Sequence, residues 1–310
     1  MSFLVAIARS AYRADALNAF HPTSAFSLHN AQAMMWMSQL AYETDKKKKI
    51  ESVLGDWSFA LRGFASNDPG TGWPPKSACM VAGGGRGATI IGFAGSDPLK
   101  FEDWITDFNA KPSPDDVHTG FQKAVNTVWP EIKRVIDARP APEQPLFFTG
   151  HSLGGALAIV AAERALSEAK VGATAVYTFG SPRTGGPGFF ADYLPSLANA
   201  TYRLVDGTDV VPTVPTPLRD TFLHVGQMIQ CPTDGIFVEP PVMSATNSNA
   251  PDLVDGLLQS GLSDLRALSA FRLIRFIGPR PLDMLSSALP RIVRDHVPAN
   301  YFRALSIPLQ

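Results

Sequence analysis

The sequence predicts an α/β fold: a mostly parallel central sheet flanked by helices. Three observations point there. Strand-length apolar runs alternate with helical stretches through most of the chain, as parallel strands with crossover connections require. One such run passes through a Gly-His-Ser-Leu-Gly-Gly element directly into an Ala-rich helix. A length of 310 residues, 45% of them hydrophobic, is enough to bury a large core.

Taken in order, SAFSLHNAQAMMWMSQLAYE (24–43) places Ala33, Met34, Met37, Leu40 and Ala41 at helical spacing and reads as an amphipathic helix. Lys46 to Lys49, the one charge run, follows it and reads as a solvated helix end. DWSFALRGFAS and SACMVAGGGRGATIIGFAG look like strands, the second stretch folding back across GGGRG. HTGFQKAVNTVWPEIKRVIDAR has a helical period and stops before a Pro-rich loop. LFFTG is the next strand and LGGALAIVAAERALSEA the next helix. ATAVYTFGSP and, after a Gly-rich loop, ATYRLVDGTD are strands, and TFLHVGQMI reads as the last one. Residues 232–291 break this rhythm. They begin Pro-rich and polar and continue with helical periodicity, so the chain reads as one domain, 1–310, carrying a helical insertion before its C-terminal histidine, His296.

Composition excludes several function classes. With 27 basic against 28 acidic residues the formal net charge is -1, so no overall field favours nucleic acid or an anionic membrane. Cys79 and Cys231 are too few for a disulfide framework and sit in no metal or redox pattern; both are expected as free thiols. No run of 18 apolar residues suggests a transmembrane segment, so membrane or lipid-droplet contact would be interfacial. Arg9, Arg13 and Asp15 interrupt the apolar N-terminal residues. No standard signal peptide is expected, and the expected location is cytoplasmic, or secreted by another route.

The chemistry centres on Gly150-His151-Ser152-Leu153-Gly154-Gly155. A nucleophile on a sharp strand-to-helix turn needs a strained backbone, and Gly150 and Gly154 remove side chains that would clash there. The helix beginning at Leu153 aims backbone N–H groups at the place where a tetrahedral intermediate carries negative charge, making the Leu153 amide an oxyanion donor. A serine hydroxyl also needs a base and an acid that orients the base. The elbow strand, acid and histidine follow in the order nucleophile, acid, base, which defines the α/β-hydrolase arrangement. His224 and His296 are both candidate bases: His224 lies in the apparent strand TFLHVGQMI, and His296 in a loop entering the final helix, the position that favours it. Asp209 lies just beyond the strand ATYRLVDG, at the edge where parallel sheets bind ligands; Asp206, three residues earlier, is the fallback.

These residues resemble the class 3 lipases, the family of the fungal triacylglycerol lipases. The resemblance covers about residues 25–230 and the last 15, and rests on LFFTGHSLGGALA, YTFGSPRTGG, YRLVDGTDVVPTVP and DHVPANY, with FAGSDPLKFEDWITDF similar to the family's oxyanion loop and short lid and VHTGF to the segment after it. It implies Ser152, Asp209 and His296 as catalytic triad and Ser96 as the second oxyanion residue; His224 matches a family histidine that is not catalytic. Without it, Gly95-Ser96-Asp97-Pro98 is an ordinary turn sequence. Trp104, Phe108 and Phe93 are candidate lid or substrate-binding residues; Trp104 and Phe108 could equally form one core-facing helix side. The implied activity is hydrolysis of lipid esters without metal or organic cofactor. Triacylglycerol is the leading substrate, a phospholipid or soluble ester the alternatives, and a catalytically silent lipid-binding or partner-binding protein the non-enzyme reading.

The departure is spacing: 71 residues lie between His224 and His296. Within them Leu253, Leu257, Leu258, Leu262, Leu265, Leu268, Phe271, Ile274 and Phe276 form an amphipathic pattern that either packs as extra helices on the sheet or caps the site, lines an acyl pocket or lies in a lipid interface.

Overall fold

The computed structural model describes residues 7–67, 77–96, 113, 115–141, 143–215, 222–239 and 291–308. The candidate lid residues Trp104 and Phe108 and nearly all of the expected helical insertion lie outside these residues.

Among the described residues seven strands form one sheet in chain order: β1 (Ala60–Asn67), β2 (Ser77–Gly83), β3 (Thr89–Phe93), β4 (Leu146–His151), β5 (Ala175–Phe179), β6 (Thr201–Asp206) and β7 (Gln227–Cys231). The β1/β2 and β2/β3 pairs are antiparallel and every later pair is parallel. Of the strands β2 to β6, every residue is buried, the mark of a sheet covered on both faces. One face packs on α1 (Leu28–Ala41), α2 (Lys47–Asp56) and the C-terminal α7 (Pro298–Ala304), through Met34, Trp36, Leu40, Leu54 and Phe302. The other packs on α3 (Thr119–Asp137), α4 (Leu153–Ser167) and α5 (Pro187–Leu197), through Phe121, Val128, Ile132, Leu157 and Tyr193. α6 (Arg291–Arg294) leads into α7. Among the described residues no helix is long and apolar enough to cross a membrane.

Three segments differ from the sequence expectation. Residues 187–197 form a helix where a Gly-rich loop is expected. Pro187 occupies its first turn, where a missing N–H costs nothing, and Phe189, Tyr193 and Leu197 repeat at four-residue spacing to bury one stripe. The last strand starts at Gln227, so His224 precedes it in irregular chain; Gly226 at φ +79° makes the turn, with no room for a Cβ, which would lie 2.5 Å from Thr201 Cγ2. Lys47–Lys49 open α2 rather than closing α1, although cations are disfavoured at a helix start. Glu43 offsets this: its carboxylate is wholly buried and receives Lys46 Nζ at 3.1 Å and Lys49 Nζ at 2.5 Å. Lys46, Lys47 and Lys48 are exposed, Lys47 at 65%.

Candidate active site

The parallel register of β3 and β4, with Phe93 opposite Gly150, brings Ser96 and Ser152 to the same end of the sheet. β4 runs straight into α4 through Ser152, whose φ of 59° and ψ of -132° lie outside the regions ordinary for a non-glycine residue. The two glycines flanking this turn are required by close approach. A Cβ on Gly150 would sit 2.1 Å from Gly154 O, and one on Gly154 2.4 Å from Phe93 O. The side chain of Ser152 is thereby presented past the strand end, while its own N–H is anchored on Phe179 O at 2.8 Å.

The structure brings Ser152, His296 and Asp209 together. His296 Nε2 lies 2.9 Å from Ser152 Oγ, and His296 Nδ1 lies 2.9 and 3.0 Å from the two Asp209 oxygens. A carboxylate accepts, so Nδ1 carries the proton and Nε2 offers its lone pair to the serine hydroxyl. Asp209 sits in the loop after β6 and receives two further hydrogen bonds, from Val211 N at 2.9 Å and Tyr301 Oη at 2.6 Å. Gly180, at φ +58°, leaves the room for this assembly: a Cβ there would lie 2.4 Å from Asp209 Oδ2 and 2.9 Å from His296 Nδ1. Asp295 accepts from both Thr208 N (2.8 Å) and Thr208 Oγ1 (2.9 Å), pinning the loop that carries Asp209 to the residue before His296.

The two other sequence candidates lie apart from this line. Asp206 is buried, but neither of its oxygens has a hydrogen-bond partner among the described residues; Arg303 Nη2 stands 3.6 Å away. Burial raises its carboxyl to about 7, against the lowering pull of Arg303. His224 donates from Nε2 to Pro212 O at 2.7 Å, and burial holds it well below the usual histidine range, with Arg203 and Arg183 adding to the effect. The strand assignment used to set His224 aside does not hold; its attachment to Pro212 is what separates it from Ser152.

Leu153 opens α4, so its N–H is one of the helix-start donors without an intrahelical acceptor. The Ser96 hydroxyl is buried and has no hydrogen-bond partner among the described residues. Such an unsatisfied donor is costly unless something else uses it. Phe93 is fully buried in the core face that includes Phe121 and Leu153.

Two supports escaped the sequence reading. His151 stacks on the His296 ring with centroids 4.7 Å apart, donates from Nε2 to His296 O at 2.7 Å and meets Tyr42 Oη through Nδ1 at 2.8 Å. Since a carbonyl only accepts, the Tyr42 hydroxyl donates to Nδ1, and burial keeps this imidazole neutral by pushing its pKa far down. Tyr301 is the other; the DHVPANY segment contained it, but nothing in the spacing showed that its hydroxyl reaches Asp209.

Comparison with known proteins agrees with this architecture. Residues 90–218 match the model of the lipase (class 3) family. The chain is 35% identical over 146 residues to the secreted mono- and diacylglycerol lipase 1 of Fusarium solani, covering 44% of this chain and 42% of that protein. It is 36% identical over 163 residues to a lipase of Rhizomucor miehei (48% and 43%), and 28% identical over 186 residues to phospholipase A1-II 1 of rice, Oryza sativa (58% and 44%). The aligned part thus spans less than half the length of these curated relatives. Among solved structures, the Rhizomucor miehei triacylglyceride lipase superposes with a TM-score of 0.58 at 22% identity over 75% of this chain and 91% of that one, a likeness of fold. On the family match over residues 90–218 and on these relatives, the chain is similar to the class 3 lipases through the part that carries Ser152 and Asp209.

Proposed function

We propose that the protein is a serine hydrolase of lipid carboxylic esters, acting on acylglycerols, with triacylglycerol as leading substrate. The observation that carries this reading is the hydrogen-bonded line from Ser152 Oγ through His296 to Asp209, with the nucleophile at a positive-φ strand-to-helix turn. His296 takes the proton of Ser152 as Oγ attacks the ester carbonyl, and Asp209 stabilises the imidazolium. The Leu153 N–H and Ser96 stabilise the oxyanion. The alcohol leaves with the proton held by His296, and water, activated by the same histidine, cleaves the acyl-enzyme to release the fatty acid. A triad with all members hydrogen-bonded argues against the silent binding-protein reading.

A second substrate reading, cleavage of one acyl ester of a phospholipid by the same triad, is favoured by the similarity to the rice phospholipase, which extends over more of this chain than the two fungal matches. Rates on p-nitrophenyl esters of two to sixteen carbons, then on triolein and phosphatidylcholine emulsions, test both. Faster cleavage of long chains and of triolein supports the acylglycerol reading; preference for phosphatidylcholine replaces it with the phospholipid one, and cleavage of acetate alone with a soluble esterase. No hydrolysis of any of them overturns the proposal.

A further inference from the structure

A second polar centre lies beneath the loops that follow β5 and β6, and ester cleavage does not use it. Arg203 stands in the middle of β6, opposite Thr178 of β5, on the sheet face shared with Val176 and the α4 and α5 side. It is 2% exposed, and its Nε and Nη1 have no hydrogen-bond partner among the described residues. Thr178 Oγ1 and His224 Nδ1, both buried, are likewise unsatisfied. Arg183, 5% exposed, is the second guanidinium of the group; it donates through Nη1 to the carbonyls of Thr213 and Pro215, the latter at 2.8 Å.

Two buried guanidiniums that feel each other's charge, with no carboxylate paired to either among the described residues, are an expensive arrangement. A buried charge is tolerated when it is paired or coordinated, and the effective penalty otherwise reaches several kcal/mol per ion. Proton loss does not relieve it: burial lowers Arg203 to about 9 and Arg183 to about 10, both still above neutrality. Among the described residues the centre therefore has no negative charge to balance it. Arg203 Nε and Nη1 are buried N–H donors without an acceptor among the described residues, and at such depth only a small, easily dehydrated group can reach them.

We propose that Arg203, with Arg183 beside it, binds a small, weakly hydrated monovalent anion of chloride size. The site has a structural consequence for the catalytic loop. Arg183 and His224 hold the carbonyls of Pro212, Thr213 and Pro215, and Arg183 N donates to Val214 O at 2.9 Å, so the bound anion steadies the stretch immediately after Asp209 and Val211.

The test is thermal unfolding of the full chain at constant ionic strength, with gluconate, too large to enter, replaced stepwise by chloride or bromide, together with chloride-35 NMR line widths. The expected result is a saturable rise of the melting temperature in chloride and bromide and excess line broadening that bromide competes away. Arg203→Met should abolish both, and in gluconate it should melt no lower than wild type, because it removes a buried uncompensated charge. Identical melting of wild type in chloride and gluconate, without excess broadening, would overturn the proposal whether or not the variant folds. An Arg203→Met protein that melts far below wild type in both salts would also overturn it, by showing that the counter-charge comes from the chain itself.

Discussion

Asp206 and Asp209 stand three residues apart at the end of β6, both buried, with opposite surroundings. Asp209 receives Tyr301 Oη, Val211 N and His296 Nδ1. Asp206 receives no hydrogen bond among the described residues, and its carboxyl is raised to about 7, burial being the main cause. The difference teaches that burial without donors, with Asp295 and Asp209 nearby, favours the neutral acid at Asp206. Donors aimed at its oxygens are what hold a carboxylate in position to orient a histidine.

The largest effect that could break this contrast is on turnover. Ser152→Ala and His296→Ala should lower kcat on a p-nitrophenyl ester on the order of a thousandfold or more, and Asp209→Asn by a comparable order, because it removes the group that fixes the His296 tautomer. Asp206→Asn and His224→Ala should stay within several-fold of wild type, since neither side chain touches this line. A dead His224→Ala beside an active His296→Ala would reverse the assignment of the base.

The next effect is smaller and sharpens the role of the donors. Tyr301→Phe deletes the 2.6 Å hydrogen bond to Asp209 and leaves a buried acceptor short of one partner. A loss of about 1–3 kcal/mol in unfolding free energy is expected from denaturant titration. A fall in kcat with little change in KM should accompany it, because Asp209 acts after the substrate is bound.

The smallest effect is on pH and belongs to Asp206. Its native carboxyl titrates near 7, against an ordinary value of 3.8. Between these values the native protein holds a proton that the unfolded chain has released. The stability that Asp206 contributes is therefore full below its unfolded pKa and declines as pH rises towards about 7. Asp206→Asn should flatten that part of the stability-versus-pH curve, measured by urea unfolding from pH 4 to 8; an unchanged slope would contradict the neutral carboxyl.

Most of the sheet was legible because strand and helix periods differ, and because Gly150, Gly154 and the apolar LFFT run constrain one another. α5 was not, since Pro187, Gly188 and Pro195 hide the stripe of Phe189, Tyr193 and Leu197. The lysine run was misplaced for an electrostatic reason: three lysines at a helix start become acceptable only with Glu43 beneath them, a contact no local pattern announces. In the site, chain order and loop position singled out Ser152, Asp209 and His296. Their supports, His151, Tyr42 and Tyr301, act through approaches between residues more than 90 apart in sequence, which spacing does not encode.

The most direct test of the central claim is covalent. Wild type, Ser152→Ala and His296→Ala would be treated with a fluorophosphonate and followed by intact mass and peptide mapping. One adduct at Ser152 in wild type, none in Ser152→Ala and much slower labelling in His296→Ala is the predicted result. An adduct on another serine, or His296→Ala labelling at the wild-type rate, would contradict the account.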